Sequence, residues 1–240
     1  MHNNLVLGKK PVMEILEEKP DHVDLVLIKK PVPPGLDPVL SRCRQLHVRF
    51  KLVPDQELQK MGAARQGIAA RLRAHTLIDL DLLLKSTTEA ELPVLLLLDQ
   101  VQDSGNLGTL ARTLAALGGA GIIIPRDRTA PLGPGAMKAS AGALTRIGIS
   151  QVTNLARTLD HIGRKGFNIY AATMNQGQSV LKQTFAFPAV MVLGGEEKGI
   201  RPNVLKRCPY KIHIPMAGSV DSLNVAQAGA LILGRMMSSG

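Results

Sequence analysis

The 240-residue chain contains no tryptophan, two tyrosines and four phenylalanines, an aromatic content of 2%. So few rings argue against domains that read single-stranded nucleic acid by stacking bases on aromatic platforms, such as RNA-recognition sheets and OB barrels. Cysteine is scarce too. Cys43 and Cys208 lie far apart, which gives neither a disulfide framework nor a metal-ligand cluster and points to a reducing cytosol. No HExxH, Ser-His-Asp elbow or paired Cys/His spacing occurs and the six histidines are scattered, so no metal is expected. Long apolar runs are missing as well. Val94–Leu98 with its flanks falls far short of a membrane span, and no charged start followed by an apolar stretch appears over Met1–Lys30. The expectation is a cytoplasmic protein without signal peptide or membrane span.

What the chain does have is aliphatic mass and positive charge. Hydrophobic residues make up 45%, so its cores must be built from Leu, Val, Ile and Ala. The formal charge is +10, and it is spread evenly: residues 1–74 carry 13 basic and 8 acidic side chains, residues 75–240 carry 16 and 11. Such a distribution suits a polyanion, usually nucleic acid, although it also serves solubility alone.

Strand-like and helix-like patterns alternate. Val23–Ile28 and Val48–Val53 read as strands, Pro38–His47 and Pro54–Met61 as helices, the second stopped by Gly62, and Gly67–Ala70 as one more short strand. Residues 1–74 therefore form a small α/β domain. Residues 75–92 read as a linker with a short helix at Leu80–Lys85. The second domain, 93–240, opens on Pro93–Asp99, a continuous apolar run ending in a polar residue, as expected of a strand buried on both faces of a parallel sheet. Helix Asn106–Leu117 follows, its apolar stripe at Leu107, Leu110, Ala111, Leu114 and Leu117 and its stop at Gly118. Further strands are read at Gly121–Ile124, Asn168–Ala172, Ala189–Leu193 and Lys211–Ile214, and helices at Pro202–Cys208 and Leu223–Met237. The fold class is α/β, a mainly parallel sheet covered by helices, preceded by the smaller α/β domain.

Ligands of open α/β sheets bind beyond the C-terminal ends of strands, and three such ends lead into polar or glycine-rich loops. The first is Asp99–Gly108 (DQVQDSGNLG), entering the helix that carries Arg112; here Asn106 is either a helix N-cap or a site residue, and Arg112 either a solvated charge or an anion ligand. The second is Gly194–Gly199 (GGEEKG), whose tandem glycines allow a ligand close to the backbone but match neither a P-loop nor a dinucleotide fingerprint. The third is Pro215–Asn224 (PMAGSVDSLN), before a last helix that is apolar on nearly every side and is either a core helix or a face for a partner chain.

In this order the three loops resemble the motifs of SPOUT methyltransferases of the TrmH type. The family's N-x-G-x-x-x-R is met by Asn106, Gly108 and Arg112. Its G-x-E-G-x-G is met by Gly194, Glu196 and Gly199, with Glu197 replacing the middle glycine. Its I-P-M-x-G-x-x-x-S-L-N-V is matched throughout by Ile214–Val225 (IPMAGSVDSLNV). The N-terminal domain is similar to the RNA-binding domain of bacterial ribosomal and transfer RNA guanosine methyltransferases, through Gly8–Leu16 (GKKPVMEIL) and Gln66-Gly67-Ile68, with Arg65 where the family often has His. The whole arrangement is most like the RlmB-like 23S ribosomal RNA guanosine branch.

The resemblance implies an S-adenosylmethionine-dependent 2′-O-methyltransferase acting on structured RNA, a trefoil knot in the C-terminal half, and a homodimer whose active site borrows residues from both subunits. It implies Arg112 as electrostatic activator of the ribose hydroxyl, because a guanidinium with a pKa above ~12 is an awkward base. Asn106, Glu196, Ser222 and Asn224 would arrange the site, and Leu193, Gly194, Gly195, Ile214, Met216 and Leu223 would hold the cofactor. A transfer RNA methyltransferase, an antibiotic-resistance methyltransferase and a non-catalytic RNA-binding protein of the same fold are the alternatives.

Overall fold

The computed structural model describes residues 5–18, 20–61, 67–72, 77–217 and 222–239. Gly62, the Arg65-Gln66 pair, the domain boundary at 74–75 and Gly218–Asp221 of the third loop lie outside them. The chain divides into two compact units, Met1–Ala74 and His75–Gly240.

The first unit contains β1 (Leu5–Leu7), α1 (Lys9–Glu18), β2 (Val23–Lys29), α2 (Asp37–Gln45), β3 (Phe50–Val53), α3 (Asp55–Lys60) and β4 (Ile68–Leu72). Its sheet runs in the order β1-β4-β2-β3, with β4 antiparallel to both neighbours and β2 parallel to β3. Successive side chains of β2 point to opposite faces. Val26 and Ile28 join Val12 and Leu16 of α1 and Val39 and Cys43 of α2 in the main core, while Leu27 packs with Leu58 of α3 on the other side. Neither β1 nor α1 was expected from the pattern, although Val12 and Leu16 have the helical i, i+4 spacing and are fully buried.

The second unit contains α4 (Leu80–Thr87), β5 (Leu92–Asp99), α5 (Ser104–Ala116), β6 (Gly119–Pro125), α6 (Pro134–Ala139), β7 (Gly148–Val152), α7 (Leu155–Arg164), β8 (Asn168–Thr173), β9 (Gln178–Ser179), β10 (Ala189–Gly194), α8 (Pro202–Leu205), β11 (Tyr210–His213) and α9 (Val225–Met237). Its seven strands are all parallel, in the order β7-β6-β5-β10-β8-β11-β9. The apolar run of β5 serves two cores. Leu96 and Leu98 face α5 and α9, and Leu95 and Leu97 face α4 and α7. Period-two alternation in a strand covered on both faces requires this division.

Within the stretch read as a linker, the described residues pack onto the second unit's sheet. Ile78 N–H donates to Ile149 O at 2.9 Å, Asp79 caps α4, and Leu83 and Leu84 are buried against the sheet. Two leucines on the apolar face of a capped amphipathic helix are drawn into a core. The expected helix at Pro202–Cys208 is shorter, ending at Leu205. Among the described residues no helix is long and apolar enough to cross a membrane.

Strands β6 and β7 lie on one side of β5, and β10 and β8 on the other. The winding direction therefore changes at the β5–β10 pair, where Asp99 and Gly194 are in register at the C-terminal ends. This switch point is where an open α/β sheet leaves a crevice.

Candidate active site

The first and second loops leave from those two adjacent strand ends, and a buried carboxylate joins them. Asp99 is fully buried and accepts bonds from Arg201 N–H and Arg201 Nε, both at 2.8 Å, while its carbonyl accepts from Gly195 N–H at 2.8 Å. A buried charge needs such pairing. The second loop is thus clamped at both ends onto β5. It is also too tight for side chains at its start: a Cβ at Gly194 would meet the Gly199 carbonyl carbon at 2.2 Å, and one at Gly195 the Gln100 carbonyl oxygen at 2.3 Å. Sequence reasoning missed the Asp99–Arg201 pair. Its signal was an acidic residue ending a run too apolar to leave that residue in solvent.

The clamped loop carries Glu196 to the start of α5. Asn106 Nδ2 donates to Glu196 Oε1 at 3.2 Å, Asn224 Nδ2 donates to Asn106 Oδ1 at 2.9 Å, and Asn224 Nδ2 also bonds Glu196 Oε1. Asn106 is not the helix cap. Asp103 is, accepting from Asn106 N–H at 2.7 Å, which leaves the Asn106 amide free to face the other two loops. Asn224 does cap its helix, accepting from Ala226 N–H at 2.9 Å, so the start of α9 sets the orientation of its amide. One residue from each of the three loops meets in this cluster. The glycine of the first motif has a different duty: a Cβ at Gly108 would lie 2.5 Å from Ala136 O, so it permits α5 to touch α6.

Beside the cluster opens a cavity of about 830 Å³. Leu193, Gly194, Gly195, Ile214, Met216 and Leu223 all line it, as do Glu196, Ser222 and Asn224. Buried Leu193, Ile212 and Ile232 give it an apolar wall, and Gly194-Gly195 leaves main chain uncovered on another. Arg112 is not there. It is exposed and lines a separate recess with Ser86, Glu89 and Arg146. Six residues along an α-helix move a side chain about 9 Å up the axis and roughly 240° around it, so Asn106 and Arg112 face different directions. Among the described residues no group of three His, Cys, Asp or Glu could hold a metal.

Residues 93–234 match the family described as SpoU rRNA Methylase, and residues 5–77 match that described as RNA 2′-O ribose methyltransferase substrate binding. The chain belongs to the SpoU rRNA methylase family. This SpoU methylase is an RNA 2′-O-methyltransferase. It is 36% identical over 234 residues to the 23S rRNA (guanosine-2′-O-)-methyltransferase RlmB of Acinetobacter baylyi, covering 94% of this chain and 93% of the relative. It is 32% identical over 233 residues to YacO of Bacillus subtilis, assigned by name to TrmH family tRNA/rRNA methyltransferases, covering 96% and 94%. Among solved structures, a TrmH family protein from Porphyromonas gingivalis superposes with a TM-score of 0.67 at 26% identity, covering 98% of this chain and 90% of that one. The methyltransferase AviRb of Streptomyces viridochromogenes, crystallised with AdoMet, shares the fold with a TM-score of 0.67 at 22% identity, covering 98% and 89%.

Proposed function

We propose that this SpoU methylase transfers a methyl group from S-adenosylmethionine to the ribose 2′-hydroxyl of a guanosine in 23S rRNA, in the cytoplasm. The observation that carries the reading is the meeting of Asn106, Glu196 and Asn224 at the edge of the cavity of about 830 Å³. The cavity suits the cofactor: apolar Leu193, Ile214 and Leu223 for a flat purine, exposed main chain at Gly194-Gly195 for its polar edge, and Glu196 at the rim to face a cationic centre. When bound, S-adenosylmethionine would supply an electrophilic sulfonium methyl for the ribose oxygen, its thioether being the leaving group.

The protein's own work is alignment and charge. Asn106 and Asn224 fix the Glu196 carboxylate, and Ser222 adds a hydroxyl at the same rim. Arg112 stabilises the charge on the oxygen as its proton is lost to water. Because Arg112 and the cavity face apart within one chain, this role would require a second copy, and α9 offers a face for one where exposed Leu231 lies one turn from exposed Gly234. The first unit supplies RNA affinity. The trefoil knot belongs to the same proposal. Its support is that β11 inserts between β8 and β9, strands already laid down, before the chain runs on into α9.

The test is incubation of the purified protein with labelled S-adenosylmethionine and deproteinised rRNA from cells lacking the gene, followed by digestion to nucleosides. Label in 2′-O-methylguanosine supports the proposal. Label in transfer RNA alone, supplied in parallel, assigns the enzyme to the other substrate.

A further inference from the structure

A second cleft, of about 640 Å³, adjoins the cofactor cavity. The two share Gly195, Glu196, Glu197, Lys198 and Val225, and Asn106 lines only the second. The lining of this second cleft is mostly polar, drawn from Gln100, Gln102 and Asp103 on the first loop and Arg128 on the loop after β6. The two loops are tied by Ala130 N–H donating to Val101 O at 2.8 Å. Four non-glycine residues among those described have a left-handed backbone, and two of them, Gln100 (φ 63°) and Arg128 (φ 56°), line this one cleft. Neither is a residue type that adopts that conformation readily, and such conformations concentrate where a side chain must be aimed.

We propose that this cleft seats the methyl-accepting nucleotide and that Arg128 holds its phosphate. The inference rests on the function proposed above and adds a residue that the three motifs leave out. A methyl donor and its acceptor must lie within reach of one set of aligning groups, and the Asn106–Glu196 pair stands where the two cavities meet. The cleft holds three carboxylates: Asp103 accepts from Asn106 N–H, Glu196 from two side-chain amides, and Glu197 has no partner among the described residues. These neutral donors fix the first two groups in place without removing their charge, so a phosphate must be held at the Arg128 end. The cations are Arg128 and Lys198. Lys198 stands between both cavities, whereas Arg128 belongs to the second alone and has no ion-pair partner among the described residues. A free, planar guanidinium in a polar cleft matches a phosphodiester. The amides of Gln100 and Gln102 can donate and accept along a base edge.

The test compares full-length wild type with Arg128→Ala, Arg128→Gly and Arg128→Lys. Ala removes the side chain and keeps the strained backbone; Gly removes both. Loss of one charge-assisted hydrogen bond should lower kcat/KM for deproteinised 23S rRNA by about 10- to 100-fold in the Ala and Gly variants, mainly through KM. The slope of log affinity against log salt should fall by about one. Lys should rescue part of the loss, and S-adenosylmethionine binding by calorimetry should stay within about twofold. Wild-type behaviour of Arg128→Gly beside a defective Arg128→Ala would show that only the backbone matters and would overturn the proposal. So would an unchanged salt slope, or equal losses of cofactor and RNA affinity. If wild type binds the cofactor but leaves this RNA unmethylated, the substrate reading fails instead, and the salt slopes of wild type and Arg128→Gly on the same RNA still decide the role of Arg128.

Discussion

Asn224 performs two tasks with one side chain. Its oxygen caps α9 and its nitrogen binds Asn106 and Glu196. Substitution can separate the two. Asn224→Ser keeps a capping oxygen and loses the amide, so thermal stability should stay near wild type while methylation falls by roughly 10²-fold, by analogy with loss of a preorganised donor. Asn224→Ala should show the same loss of rate and a further cost of about 0.5–2 kcal/mol in stability. Calorimetric melting beside single-turnover methylation reads both; a fully active Ser variant would remove Asn224 from the site. At this scale the sequence was informative for Asn224 and Glu196, whose types and spacing survive folding. It left two readings open for Asn106, where capping and site duties call for the same residue type, and Asp103, three residues earlier, takes the cap.

At the scale of elements, the parallel sheet was legible because strands buried on both faces show as unbroken aliphatic runs, at Leu95–Leu98 and Val190–Leu193. Helix α7 was missed although Leu155, Leu159 and Ile162 repeat at helical spacing behind the cap Asn154, because the intervening charges obscure a short amphipathic stripe. Close approach between helices was not legible at all. Gly108 reads as part of a ligand motif, yet its contacts are the main chain of α6. Neither Ala136 O nor Ser140 N can move without shifting that helix. Gly108→Ala should therefore destabilise the protein by about 1–3 kcal/mol through overpacking, lowering Tm by roughly 2–4 °C per kcal/mol. Differential scanning calorimetry measures this. An unshifted Tm would return Gly108 to a role in the loop.

For the whole molecule, the separate placements of Arg112 and the larger cavity would make assembly part of the proposed mechanism. Helix α9 presents Leu231 to solvent, one turn from Gly234. Placing a charge there should be nearly free in a lone chain and costly in an apolar interface. Leu231→Glu should run at the mass of one chain in light scattering, keep its melting cooperative, and lose methylation. A Leu231→Glu protein that is monomeric and fully active would show that a single chain supplies every group.

Methyl transfer to a guanosine ribose of 23S rRNA can be read in cells by mapping 2′-O-methyl groups in total RNA with the gene present, deleted, and restored as wild type or as Glu196→Ala. One guanosine of 23S rRNA should lose its 2′-O-methyl group on deletion, regain it with the wild-type gene, and stay unmodified with the Glu196 variant. An unchanged map in all three strains, or a lost methyl group that the Glu196→Ala protein restores in full, would contradict it.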